Sequence, residues 1–195
     1  MTQEQLKRSG YIKKEKSIIA NKSFKISLII TVIIGIITFS AFLFINKGPY
    51  NEFNSPWTTY FEVLVIVILG LFLHEFLHCI LFSLFSEEGW KSIRYGFEQN
   101  VLKFYSYSID GVTKNQYIIA RILPLIITFI IPFIIAIVIN NVIIAIASVA
   151  LLQFCGFDII SLALILKEDK NDIYFNSKED CGCIIYKKGE SKVFW

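Results

Sequence analysis

Four apolar stretches, at 26–45, 61–85, 117–139 and 142–166, alternate with polar segments along this chain. Each has the 20 or so residues needed to carry a helix across a bilayer. The third contains Pro124 and Pro132 and is predicted to bend there. Asn140-Asn141 separates it from the fourth and predicts a tight turn. The first polar interval, 46–60, carries the turn signals Gly48-Pro49 and Ser55-Pro56. Trp57 and Tyr60, at the start of the second stretch, fit an interfacial aromatic belt. The second interval, 86–116, is amphipathic. Tyr95, Phe97, Val101, Phe104, Tyr105 and Tyr107 give its 93–109 segment strand chemistry, with Gln99-Asn100 as the turn. The tail predicts two more strands, at 173–175 and 183–186. The expected fold class is an all-α membrane protein with four transmembrane helices and small cytosolic β-hairpin elements.

Composition agrees. Of 195 residues, 55% are hydrophobic, and the mean hydropathy is +0.60, too apolar for an ordinary soluble domain. A cleaved signal peptide is the competing reading of 26–45. Its basic leader is long, its apolar core exceeds the usual length, and no small-x-small cleavage site follows, so a retained span is expected. The chain divides into a basic N-terminal segment (1–25), one four-span domain (26–166) and a polar tail (167–195).

Charge orients the spans. The segment before the first carries seven Lys and Arg residues, whereas the following loop has only Lys47. The 86–116 loop has Lys91, Arg94, Lys103 and Lys114, the Asn140-Asn141 turn has none, and the tail has six. The positive-inside rule therefore predicts both termini and the 86–116 loop in the cytosol. The net charge of +3, with basic residues beside spans rather than along a groove, excludes nucleic acid as a partner. The cysteines (79, 155, 181 and 183) form no C-x-x-C pair and are expected to be reduced.

The two histidines of the chain both lie in the second stretch, as His74-Glu75-Phe76-Leu77-His78. On a helix, residues four apart share a face about 6 Å apart, close enough for both imidazoles to bind one Zn²⁺. Glu75 stands one residue on, beside the metal rather than on it, where it can take a proton from the attacking water. Three ionisable groups inside a membrane-depth helix are costly and mark function. The bland alternative is a pair of packing histidines bonded to neighbouring hydroxyls.

A zinc hydrolase needs a third protein ligand. Asp158 is the acidic residue of the fourth stretch. His78 lies about 10 Å, and Asp158 about 12 Å, from the cytosolic ends of parallel spans, so their depths match. The competing reading pairs Asp158 with Arg121 or keeps it protonated. Cys155, one turn away, is either a soft ligand or a small apolar residue. Glu62 reads as a solvated group at the external interface.

These residues resemble the putative zincin peptidase family, small bacterial membrane proteins related to site-2 proteases. The similarity covers roughly residues 64–186. It rests on the histidine motif, on Tyr95-Gly96-Phe97, on the 117–124 stretch ending in Pro124, and on Gly156-Phe157-Asp158. The resemblance implies His74, His78 and Asp158 as zinc ligands and Glu75 as general base. The chain departs from the site-2 protease pattern in having Ile159 after Asp158, and Leu77 and Cys79 where small residues are common.

The expectation is a membrane-embedded zinc metalloprotease cleaving a membrane-anchored protein or peptide, in or next to the bilayer on the cytosolic side. Its alternatives are a non-catalytic zinc-binding regulator or immunity-type protein, and a small transporter. A transporter needs polar residues through the full membrane depth, which the outer halves of these spans lack. Substrate identity and oligomeric state are not encoded in any motif.

Overall fold

A computed structural model describes residues 1–47, 55–98, 103–176 and 181–188. Thr2 and Gln5 form a reciprocal capping box that starts helix α1 (Gln3–Arg8). Gly10, at φ 79°, turns the chain into strand β1 (Tyr11–Ile18). Two long apolar helices follow, α2 (Ala20–Ile45) and α3 (Pro56–Phe85), the latter opened by a proline whose missing N–H costs nothing there. A short 3₁₀ turn (Gly89–Ser92) leads into β2 (Ile93–Glu98), β3 (Lys103–Ser108) and β4 (Val112–Thr113). Thr113 caps α4 (Lys114–Leu125), again with a capping-box glutamine, Gln116. A π-helical turn, Ile126–Ile130, joins α4 to α5 (Ile131–Ile139). Asn140 adopts the left-handed conformation, and Asn141 caps α6 (Val142–Ile165) through Ile144 N–H at 2.8 Å. Strands β5 (Ile173–Asn176) and β6 (Cys181–Lys188) end the described chain.

Four helical segments, Asn21–Ile45, Pro56–Phe85, Lys114–Ile139 and Val142–Ile165, are long and apolar enough to cross a membrane. They match the four stretches read from the sequence, though α2 begins six residues earlier than expected and α3 five. α6 is the hub of the bundle. The most apolar part of α6 is 56% buried, against 17% for α2, so the same kind of sequence is core in one helix and outer surface in the other. Small residues along α6 (Ala145, Ala147, Ser148, Gly156, Ser161) let its neighbours approach. A Cβ on Gly156 would collide with Ser27 and crowd Thr31 on α2.

The predicted hairpin exists: β2 and β3 pair antiparallel, from Ile93 opposite Ser108 to Glu98 opposite Lys103. Its Gln99-Asn100 turn lies outside the described residues. The tail strands also pair antiparallel, but they are not an isolated hairpin. β1 joins β6 over its whole length, and β4 joins β5, giving a four-stranded antiparallel sheet in the order β1-β6-β5-β4. The first segment of the chain is therefore structured, and the expected small hairpin elements lacked β1 and β4, which extend the tail strands into this sheet. The lysines along β1 (13, 14, 16), part of the basic N-terminal segment, sit on an edge strand, where lysine blocks further pairing.

The sheet is pinned under α6 by Glu168, which is 8% exposed. Its carboxylate meets Lys16, Lys14 at 3.1 Å and Lys187 at 3.0 Å, so both β1 and β6 are tied to it. The Lys16 contact, with the other lysines, draws its pKa from 4.5 to about 2 against the effect of burial. Lys114 donates to the carbonyls of Leu166 and Glu168 and closes the end of the helix. Between sheet and bundle, Leu81, Phe82, Tyr117, Ile165, Tyr174 and Ile185 form one apolar core. The N-terminal segment, the 86–113 connection and the tail thus gather at one end of the bundle, with Thr2 bridged to Asp110.

Candidate metal centre

α3 carries His74 and His78 on one face, one turn apart, and buries both. α6 presents Asp158, 2% exposed, opposite them. His74 Nε2 lies 3.0 Å from Asp158 Oδ2, His78 Nε2 lies 3.2 Å from the same oxygen, and the two Nε2 atoms are 3.3 Å apart. Three donor atoms from two helices thus form a nearly equilateral triangle. The depth match read from the sequence is realised as direct contact.

The far nitrogen of each imidazole is tied off. His78 Nδ1 donates to the carbonyl of Ala120 at 2.8 Å, since a carbonyl only accepts. Thr128 spends its hydroxyl proton on Pro124 O at 2.8 Å, so its oxygen accepts from His74 Nδ1–H at 3.2 Å. Both Nε2 atoms then point lone pairs at each other and at a carboxylate oxygen. Three acceptors so placed repel unless a cation sits among them. Zinc bonds to nitrogen and carboxylate oxygen are about 2.0–2.2 Å, which puts the corners of a tetrahedral site about 3.3 Å apart. The observed edges fit, and such second partners on Nδ1 are what orient metal-binding histidines.

The broken third helix supplies both of those partners. Pro124 has no N–H to continue the ladder, and the turn that follows widens into the π segment. Thr128 lies in that segment, buried, and faces His74. The two prolines predict the irregularity, but not that it would deliver a hydroxyl to the site.

Asp158 divides its oxygens. Oδ2 faces the histidines, while Oδ1 accepts from Arg121 Nη1 at 2.6 Å. The two sequence readings of Asp158 therefore hold together: it faces the histidines and it pairs with Arg121, which turns inward instead of reaching water. Glu75 is half-buried beside His74, one position round the helix. Cys155 packs its thiol 3.8 Å from His74 Nδ1, the nitrogen turned away from the triangle. That position suits a small apolar side chain. Glu62 is exposed at the far end of α3. Among the described residues, His74, His78 and Asp158 are the group of three side chains able to hold a metal ion.

No curated protein and no solved structure matches the chain. A family model described as "Putative zincin peptidase" matches residues 66–173, more than half of the chain, and spans the histidine motif, Arg121 and Asp158. With that match and a donor triangle suited to zinc, the chain belongs to the putative zincin peptidase family.

Proposed function

We propose that the protein is a membrane-embedded zinc metallopeptidase that hydrolyses a peptide bond in or next to the bilayer, on the cytosolic side. The observation that carries the reading is the donor triangle of His74, His78 and Asp158, with both imidazoles held by their Nδ1 atoms and a carboxylate, Glu75, adjacent but outside it. Zinc held there would polarise the scissile carbonyl and acidify the attacking water. Glu75 takes the proton from that water on its carboxylate and passes it to the leaving amine. Thr128 and the Ala120 carbonyl keep the two rings in the tautomer that leaves each Nε2 free. Arg121 balances the buried charge of Asp158.

The side of cleavage follows from charge. The basic segments share the end of the bundle nearest the triangle, and basic segments stay in the cytosol. The substrate is a membrane-anchored protein or peptide. Among the described residues the β2–β3 hairpin pairs with no third strand, and an unwound segment of substrate can add along β2.

Glu75→Gln tests the reading. The variant keeps size and hydrogen bonding but cannot accept a proton. Zinc content should stay near one per chain while cleavage of a co-expressed membrane substrate falls about 10²-fold or more. Lost zinc would make Glu75 a ligand or structural residue. Full cleavage would remove it from the chemistry. Zinc in the wild type without cleavage of any membrane substrate would favour a non-catalytic zinc-binding regulator.

A further inference from the structure

We propose that Arg121 and Asn176 form a clamp that positions Asp158, so that the sheet beyond the last membrane-length helix completes the metal centre. The proposal rests on the zinc-site reading above and adds two residues to it.

A carboxylate turns easily about its last bond, because that torsion is broad and two-fold. Left alone, Asp158 could offer either oxygen, or both, to the histidines. Arg121 removes that freedom by holding Oδ1 at 2.6 Å and leaving only Oδ2 in the triangle. The side chain of Arg121 is itself 13% exposed and needs its own support. Its Nη2 donates to Asn176 Oδ1 at 2.8 Å and, more weakly, to Tyr117 Oη at 3.4 Å. The Tyr117 ring packs under the guanidinium, 5.3 Å from Cζ.

Asn176 ends β5 and is 5% exposed. Its Nδ2 donates to the Ser106 carbonyl on β3 at 3.0 Å. Only one orientation of the amide lets it accept from a guanidinium and donate to a carbonyl, so its placement is determined. A chain of direct contacts thus runs from the hairpin through Asn176 and Arg121 to Asp158. Asn176 lies three residues past the end of the family match at 173, so part of the clamp comes from outside the matched segment. Arginine is required because one planar fork serves two acceptors at once. A lysine is a point charge with no such fork.

Zinc affinity of the detergent-purified full chain, measured by competition with a chromophoric chelator, tests this without any cleavage assay. Arg121→Gln should weaken zinc binding about 10- to 100-fold, the scale of lost outer support for a ligand. Asn176→Ala should weaken it about fivefold, the scale of one ordinary net hydrogen bond, because it reaches the metal only through Arg121. Because Asn176 acts through Arg121, the double variant should bind no more weakly than Arg121→Gln alone. Arg121→Lys should fall between wild type and Arg121→Gln and be indifferent to Asn176→Ala. If Arg121→Gln does not fold, the lysine variant and Asn176→Ala carry the test. Wild-type affinity in Arg121→Gln, or in Asn176→Ala, would overturn the clamp, as would losses that simply multiply in the double variant. A wild-type protein that binds no zinc overturns the metal-centre reading and the clamp with it.

Discussion

The two ends of the helix bundle are built on different principles. The end away from the sheets is held by Phe42, Phe129, Phe133, Val142, Ile143 and Leu152, with asparagines closing the turn. Its charged group on α3, Glu62, is exposed. The end beside the sheets buries His74, His78, Thr128 and Asp158 and joins them to Arg121, Tyr117 and Asn176 in one hydrogen-bonded network. Apolar packing is tolerant, because one hydrocarbon substitutes for another of similar volume. A buried polar network is not, since each group left unpartnered costs its full desolvation. The difference sets the sheet end apart as the place where the fold accepts that cost.

The contrast is broken most sharply by paired carboxyl-to-amide changes. Asp158→Asn leaves Arg121 buried without its counter-charge and the triangle without its anion. Stability should fall by about 3–5 kcal/mol, the cost of opening a buried ion pair, and zinc should be lost. Glu62→Gln at the other end should change stability by less than about 0.5 kcal/mol and leave zinc untouched. Denaturant titration in detergent with metal analysis reads both, and equal effects would erase the distinction.

A smaller effect is expected where the two kinds of packing meet. Gly156→Ala drives a methyl group into Ser27 and Thr31, so α2 must shift. Overpacking of this sort costs about 1–3 kcal/mol. Zinc affinity should hold, because α2 supplies no group to the triangle. Loss of zinc would mean that α2 also sets the position of Asp158.

A more local effect is a pH dependence confined to the sheet. The pKa of Glu168 falls from 4.5 to about 2 on folding, through Lys16 first and then Lys187 and Lys14. Its contribution is therefore complete above about pH 4.5 and fades as the pH drops toward 2. Hydrogen exchange of the Tyr11–Ile18 amides, taken relative to their intrinsic rates, should quicken as the pH drops through that window in the wild type. In Glu168→Gln it should be faster throughout and less dependent on pH.

How much of this was legible follows the same divide. The apolar runs mark the four long helices directly, because hydrocarbon length alone decides whether a helix can span. The histidine pair shows in the sequence because one helical turn brings positions four apart together. Asp158 could be placed by depth. The strand β1 could not, since its partner β6 lies at the other end of the chain and, as an edge strand with no buried face, it carries no apolar alternation to read. Arg121 could be paired with Asp158 from the sequence, but not with Asn176, 55 residues away, whose Oδ1 accepts from it. Thr128 reaches His74 only because the helix widens after Pro124. Local periodicity writes the helices and the motif, whereas the supports of the ligands come from long-range contacts that no spacing encodes.

The most direct measurement is zinc X-ray absorption on the purified wild-type protein. Two imidazole nitrogens and carboxylate oxygen at about 2.0–2.2 Å, with no sulfur, is the predicted first shell. A zinc–sulfur distance near 2.3 Å would place Cys155 in the site instead of Asp158, and protein that binds no zinc would contradict the metal centre outright.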